Sequence, residues 1–316
     1  MKLTRRDFGK LAVTAIPGVE LFSTRRAQAS LPKPELFNAL RAQGGAKPNS
    51  KFAGVQIGMN VPYNFGGRDM NADELLDRLL KLNVNAVEMR SQPVESFLGS
   101  PAANGQKPEA EAMRTWRASV SMDRVAAFRK KYEDAGVLID IVKYDGIYTM
   151  SDDEVNYCFA LARTLGARGI SCEIDAKHTQ RIGQFADKHK LPVAYHGHAT
   201  TTPAHWEEAF KQARFNWANL DIGHFVAGNN TSPVPFMKQH HARITHIHVK
   251  DRKMKEGPNV PFGEGDTPIV EVLRLIRDNK WPIQATVEFE YPVPEGSDRM
   301  KELAKTVEFC RRALVS

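Results

Sequence analysis

From Phe52 to the end of the chain, short runs of β-branched and aliphatic residues alternate with longer stretches in which apolar residues recur three and four positions apart. The short runs predict strands over 54–59, 86–89, 138–142, 169–173, 193–196, 218–222, 244–249 and 283–288. The longer stretches predict helices over 72–81, 122–133, 152–165, 180–188, 203–212, 232–240, 268–277 and 299–312. Asp73 with Asp77, and Glu208 with Lys211 and Gln212, fall on polar faces at helical spacing and are expected in solvent. Eight strands alternating with eight helices predict a single-domain α/β protein, a (β/α)₈ TIM barrel over 51–316. A doubly wound sheet is the rival, but no Gly-x-Gly-x-x-Gly follows the first strand, and Gly66-Gly67 lacks that spacing. Residues 30–50, rich in Pro, Gly, Ala and Lys, are expected to form a linker or N-terminal arm. The connection 92–119 is long for a βα loop and is expected to carry function or form a lid.

Composition changes this picture little, except at the N-terminus. Hydrophobic residues make up 42% and charged residues 26%, as in an ordinary globular protein. Of the formal charge of +7, the first 29 residues supply +4, from six Lys/Arg against two Asp/Glu. The remainder is close to neutral for its length and offers no footprint for nucleic acid. Thr4-Arg5-Arg6-Asp7-Phe8 is a twin-arginine pattern, followed by the weakly apolar stretch Leu11 to Phe22 and by the small-x-small site Ala27-Gln28-Ala29. The stretch contains Glu20 and is too short and too polar to span a bilayer. Residues 1–29 are therefore expected to be a signal peptide read by the Tat translocase, with a periplasmic or secreted product that begins near Ser30 and has no stable membrane insertion. No Cys follows the cleavage site, so no lipoprotein anchor is expected. The three cysteines, Cys158, Cys172 and Cys310, are too few for a disulfide framework and are expected to be buried. Assembly into a homo-oligomer is left open.

Four of the strand-like runs end in residues that bind metals. Glu173 ends strand four, Asp221 strand six, His248 strand seven and Glu288 strand eight. Barrel active sites lie at the carboxyl ends of the strands, and alternation allows all four side chains to point to one interior. Carboxylates and imidazole together suit a divalent ion such as Mn²⁺, Mg²⁺, Co²⁺ or Zn²⁺. His246, His248 and Lys250 share a face by the period of two, as do Glu288 and Glu290. Such neighbours lie about 6.6 Å apart, so one of each pair holds the metal, and spacing does not choose which.

Tyr195-His196-Gly197-His198, Asp221-Ile222-Gly223-His224, His246-Ile247-His248-Val249-Lys250-Asp251, Gly263-Glu264-Gly265-Asp266 and Val287-Glu288-Phe289-Glu290 occur in this order. Together they resemble the xylose-isomerase-like TIM-barrel superfamily, and within it the sugar phosphate isomerase/epimerase group, over roughly residues 52 to 314. The resemblance implies one divalent ion, Mn²⁺ first among the candidates, held by Glu173, Asp221, His248 and Glu288. It implies that Glu173 and Glu288 are the acid/base pair and that His198 and His224 contact substrate. Lys250 is taken as a further substrate contact, with a salt bridge to Asp251 that shapes the strand-seven loop as its alternative. An arginine that some epimerases place after the strand-seven His has no clear equivalent, because Arg252 and Lys253 do not match by spacing. Glu88 either holds substrate or forms a buried ion pair. Trp116, Trp206 and Trp217 are assigned to packing, and His178, His189 and His205 to the surface.

The function implied is an exported sugar isomerase or epimerase that abstracts a proton alpha to a carbonyl through a metal-stabilised enediolate. Export argues against phosphorylated substrates. The same base and the same enediolate also serve β-elimination, so a metal-dependent lyase or dehydratase acting on a 3-keto-glycoside or inosose is an alternative. A non-catalytic carbohydrate-binding protein is another. An endonuclease IV-type repair enzyme is disfavoured, since strands one to three end in Met59-Asn60, Met89-Arg90 and Val142-Lys143, without His or Asp.

Overall fold

The computed structural model describes residues 47–67, 70–102 and 108–316. The twin-arginine segment and most of the expected arm lie outside the described residues, as does part of the 92–119 connection. Eight parallel strands follow in order: β1 (Val55–Val61), β2 (Ala86–Arg90), β3 (Leu138–Lys143), β4 (Gly169–Glu173), β5 (Val193–His196), β6 (Asn216–Asp221), β7 (Ile244–Val249) and β8 (Gln284–Val287). Each pairs with the next, and β8 pairs with β1, so the sheet closes into a barrel. Closure leaves no free edge and buries both faces of every strand, which is why these segments read as apolar runs rather than as alternation.

Register decides which side chains meet at the carboxyl ends. Glu173 lies opposite His196, and Asp221 opposite His248. An irregularity between Ala218 and Asn219 sets Asn219 against His246, and another between Val87 and Glu88 sets Glu88 against Ile141. Arg168 ties the two strands that carry the extra residues: it donates to Asp140 Oδ1 (2.8 Å) on β3 and to the Thr245 carbonyl (2.5 Å) on β7. Bulges of this kind re-aim side chains near functional sites.

The covering helices form where periodicity predicts them. Ala72–Lys81 buries Leu75, Leu76 and Leu79 against the barrel, and Asn71 caps it by accepting the Asp73 and Glu74 N–H groups (3.0 and 2.9 Å). Each such leucine contributes about 1.5–3 kcal/mol by leaving water. Asp152–Thr164 begins with a Ser151/Glu154 capping box. Among the described residues no helix is long and apolar enough to cross a membrane. All three cysteines are free and buried.

Two segments differ from the sequence expectation. The 92–119 connection carries two helices, Ser91–Phe97 and Ala110–Ser119, anchored where Arg117 meets Glu95 and Glu154, each at 2.9 Å. Strand six stops at Asp221, and helix Ile222–Asn229 starts at once, because the Asp221 carboxylate caps it through the His224 N–H (2.7 Å).

Candidate metal centre

The carboxyl ends of β5 to β8 bring His196, Asp221, His248 and Glu288 together, with one donor atom of each within 4.8 Å of the others. All four are buried. His196 Nε2 lies 3.5 Å from Asp221 Oδ2, and His248 Nδ1 lies 3.8 Å from the same oxygen and 3.2 Å from Glu288 Oε1. The Glu288 N–H donates to the Val249 carbonyl (3.0 Å), which extends the ladder past β8 and fixes that carboxylate at the mouth. Asn60, at the end of β1, donates to Glu288 Oε1 (2.8 Å).

His248 is aimed by the residue below it. Its Nε2 meets Glu88 Oε2 at 2.5 Å, and Glu88 Oε1 lies 3.2 Å from His246 Nε2. Glu88 is thus buried against two histidines, which matches the buried-pair alternative of the sequence reading. Burial works to raise its pKa, but the two imidazoles hold it well below the carboxylate range. For His248, burial lowers the pKa, but Glu288 and Glu88 outweigh it and push it up to about 10. A metal bound at Nδ1 would have to displace any proton held there.

These residues fit a divalent ion. Two imidazoles and two carboxylates are the donor set of borderline divalent metals. His248 Nδ1 and Glu288 Oε2 are buried and make no aligned hydrogen bond, although opposite charges lie near each of them. Burial raises Asp221 and Glu288, but Lys250 chiefly, for Asp221, and His248 chiefly, for Glu288, hold both carboxylates ionised.

Glu173 stands at the edge of this group, with His196 between it and Asp221. Its carboxylate receives Lys143 Nζ, His196 Nδ1 and His198 Nε2, each at 2.8 Å. Burial raises its pKa, but the two histidine hydrogen bonds and the Lys143 charge hold it far below the carboxylate range. The Glu173 hydrogen bond in turn raises His198, which stays half-exposed. Of the four ligands the resemblance implied, the structure gathers Asp221, His248 and Glu288 with His196, and brings Glu173 to them through that histidine.

Lys250 passes into the same space. Its Nζ lies 2.6 Å from Glu288 Oε2, 2.7 Å from Glu290 Oε2 and 3.0 Å from Asp221 Oδ2. Gly223 permits this, since a Cβ there would lie 2.4 Å from Lys250 Cγ. Lys250 does not pair with Asp251. Instead Asp251 turns away and accepts the N–H groups of Gly263 (2.8 Å), Gly265 (2.9 Å) and Thr267 (3.2 Å), which folds the strand-seven loop back on itself. A Cβ on Gly265 would lie 1.9 Å from that carboxylate, which accounts for the second glycine of Gly263-Glu264-Gly265-Asp266.

The folded loop delivers Arg252, whose Nη1 lies 2.7 Å from His224 Nδ1. Spacing gave Arg252 no place in the site, and the loop closure that places it depends on contacts more than ten residues apart. Lys143 enters the site without a sequence signal, and Glu290, the member of the Glu288/Glu290 pair that lies outside the four-residue group, meets Lys250. Tyr63 donates to Glu290 Oε1 (2.8 Å). Burial pulls His224 down to about 4 against the attraction of Asp221. The remaining histidines have structural partners: His178 stacks on Tyr148, His189 stacks on Phe159, and His205 Nδ1 accepts the Thr202 N–H. Trp206 is buried and donates to the Tyr195 carbonyl (2.8 Å), a packing role as expected.

Residues 159–313 match the family model described as xylose isomerase-like TIM barrel. Among solved structures, a xylose isomerase domain protein from Alicyclobacillus acidocaldarius superposes with a TM-score of 0.59 at 14% identity, over 83% of this chain and 100% of that one. The probable 3-DHS dehydratase AsbF of Bacillus anthracis gives 0.56 at 13% identity, over 80% and 98%. A sugar phosphate isomerase/epimerase from Parabacteroides distasonis gives 0.54 at 16% identity, over 81% and 97%. No curated protein matches the chain. At these identities the likeness establishes the fold, which is a xylose isomerase-like TIM barrel.

Proposed function

We propose that the chain is a divalent-metal-dependent enzyme that isomerises or epimerises a sugar or sugar derivative by abstracting a proton alpha to a carbonyl. The observation that carries this reading is the buried group of His196, Asp221, His248 and Glu288, two of whose donor atoms lack a hydrogen bond, with the ionised Glu173 at its edge. Bound there, a divalent ion, with Mn²⁺ proposed first and Mg²⁺, Co²⁺ or Zn²⁺ as alternatives, would supply Lewis acidity to the substrate oxygens. Asp221, His248 and Glu288 are the proposed ligands, and the fourth position falls to His196 or Glu173, which share one hydrogen bond. Metal analysis of His196→Ala and Glu173→Gln decides between these two, since the true ligand's variant loses metal.

Glu173 and Glu288 sit at opposite ends of the row that runs through His196, Asp221 and His248. The Glu173 side chain is 40% exposed and that of Glu288 is 4% exposed, so Glu173 is the carboxylate an entering substrate reaches. Glu173 is the proposed proton acceptor, and its basicity rises as substrate displaces its histidine donors. Glu288 is the proposed partner that serves the other carbon or the other face. His198, His224 and Lys250 are the proposed substrate contacts. A screen of free ketoses, inososes and 3-keto-glycosides in D₂O with Mn²⁺ tests the reading. Deuterium should enter beside the carbonyl with no group lost. If no candidate exchanges a carbon-bound proton while the metal is present, the enzyme reading is wrong.

One observation favours elimination as a second reading. His198 is 55% exposed and is biased toward its protonated form by Glu173, which suits it to protonate a departing oxygen. Release of water or of an aglycone in the same screen would select the lyase. The proposed export is tested separately. With Arg5 and Arg6 both changed to Lys, precursor should accumulate in the cytoplasm, and unaltered secretion would refute the twin-arginine reading.

A further inference from the structure

We infer that Asn64 is the positioning residue that fixes the direction of Glu288, acting through the backbone on either side of it. This rests on the reading of Glu288 as a metal ligand and acid/base partner. The ladder between β8 and β1 ends at the pair Val287 and Met59, and β1 itself ends at Val61, where the chain turns into the short helix Tyr63–Phe65. Glu288 therefore lies one residue past the last paired position on that side. A strand end released in this way has peptide groups without ladder partners and soft backbone dihedrals. Asn64 supplies what the strand does not. Its Nδ2 donates to the Val287 carbonyl (2.7 Å), and its Oδ1 accepts the Phe289 N–H (2.9 Å). The two partners fix which way round the amide sits, since a carbonyl only accepts and a peptide N–H only donates.

These bonds bracket Glu288. The peptide before it is held at both ends, by Asn64 at the Val287 carbonyl and by the Val249 carbonyl at the Glu288 N–H (3.0 Å). The peptide after it is held at the Phe289 N–H. With both flanking peptide planes set, the φ and ψ of Glu288 are set, and with them the direction of its Cβ. Asn64 is fully buried, so water does not compete for either bond. The last helix braces the clamp: Arg299 Nη1 donates to the Asn64 carbonyl (3.2 Å), and its guanidinium lies 4.9 Å from the Phe289 ring centroid. Asn60 works at the other end of the same side chain, donating to the carboxylate itself (2.8 Å). Asn60 therefore acts on the rotamer of Glu288, and Asn64 on the backbone from which that rotamer starts.

Co²⁺ is the probe ion, its affinity read by competition with a chelator and its ligand geometry by the visible spectrum of the bound ion. In Asn64→Ser, whose side chain is too short to bridge both peptides, Co²⁺ affinity should fall about tenfold or more, the lower end for residues that orient metal ligands. The visible bands should shift with it. Leu79→Ala, a cavity in the outer helix Ala72–Lys81, should lower stability and leave affinity and spectrum unchanged. A folded Asn64→Ser protein with wild-type affinity and spectrum overturns the inference. Should Asn64→Ser fail to fold, Asn64→Gln carries the amide on a longer stem, displaces the pinned peptides and is judged by the same two readings. If the wild type takes up no Co²⁺, the metal proposal falls and a double-mutant cycle in urea decides the role of Asn64 without any ion. A misdirected Glu288 has already lost His248 and Lys250, so the costs of Asn64→Ser and Glu288→Gln should sum to more than the double variant loses. Additive costs overturn the inference.

Discussion

A metal-bound imidazole almost always has its other nitrogen hydrogen-bonded, and Glu88 would do this for His248, the proposed ligand, at 2.5 Å. Asn219 Nδ2, 3.1 Å from the same nitrogen, fills the remaining space. The carboxylate holds the Nε2 proton, which leaves Nδ1 for Asp221, Glu288 and a cation. The isosteric Glu88→Gln change removes the charge and keeps the volume. We expect it to weaken metal binding about 10- to 100-fold, the range for outer-sphere partners of metal-bound histidine. Competition with a chelator of known affinity measures this, and an unaltered affinity would show that His248 is oriented by packing alone.

At the level of elements, Asp221 and Asp251 each work on two structures at once. Asp221 Oδ1 caps helix Ile222–Asn229 while its Oδ2 faces His196, His248 and Lys250, so one carboxylate serves both the strand-to-helix switch and the candidate site. Asp251 follows β7 and closes the loop that holds Arg252. Removing it leaves three backbone N–H groups without their charged acceptor. At about 1.5–3 kcal/mol for a hydrogen bond to a charged group, partly recovered by water, Asp251→Ala should cost about 3 kcal/mol. Urea unfolding reads this loss, and limited proteolysis should cut within 253–262 faster than in the wild type. Equal cleavage rates in the two proteins would mean that the loop is held some other way.

Across the whole molecule, the buried carboxylates at the barrel mouth would couple folding to binding of the proposed metal. Glu88, Asp221 and Glu288 lie within one barrel interior, faced by His248 and Lys250, with His246 beside Glu88. A cation that binds only the folded state adds about 2.7 kcal/mol at a hundredfold excess over its dissociation constant. For a domain of this size each kcal/mol moves the melting temperature about 2–4 °C. Stripping the metal with a chelator should therefore lower the melting temperature by about 5–10 °C, and adding the ion back should restore it. Calorimetry that shows no difference would separate the site from the stability of the barrel.

Hydrophobic periodicity alone determined the eight barrel strands and the eight helices that follow them in order, because a strand buried on both faces needs a continuous apolar run and a covering helix needs a stripe. It also placed Asp221, His248 and Glu288 at strand ends, since position along a strand is a local property. What it left open were choices that depend on neighbours distant in sequence. His246 and His248 share a face, and only the register with β6, shifted between Ala218 and Asn219, sets His248 level with Asp221 and drops His246 to Asn219. The exchange between Glu173 and His196 follows from their pairing across β4 and β5. Arg252 reaches His224 only after Asp251 binds backbone 12 to 16 residues away. Of helix Ile222–Asn229 only Ile222 falls in a sequence-predicted element, the end of a strand, because a buried helix is apolar on all sides and shows no period. Local pattern carries the elements and their ends, and inter-strand register and loop closure, set by contacts the linear order does not display, decided which side chains meet.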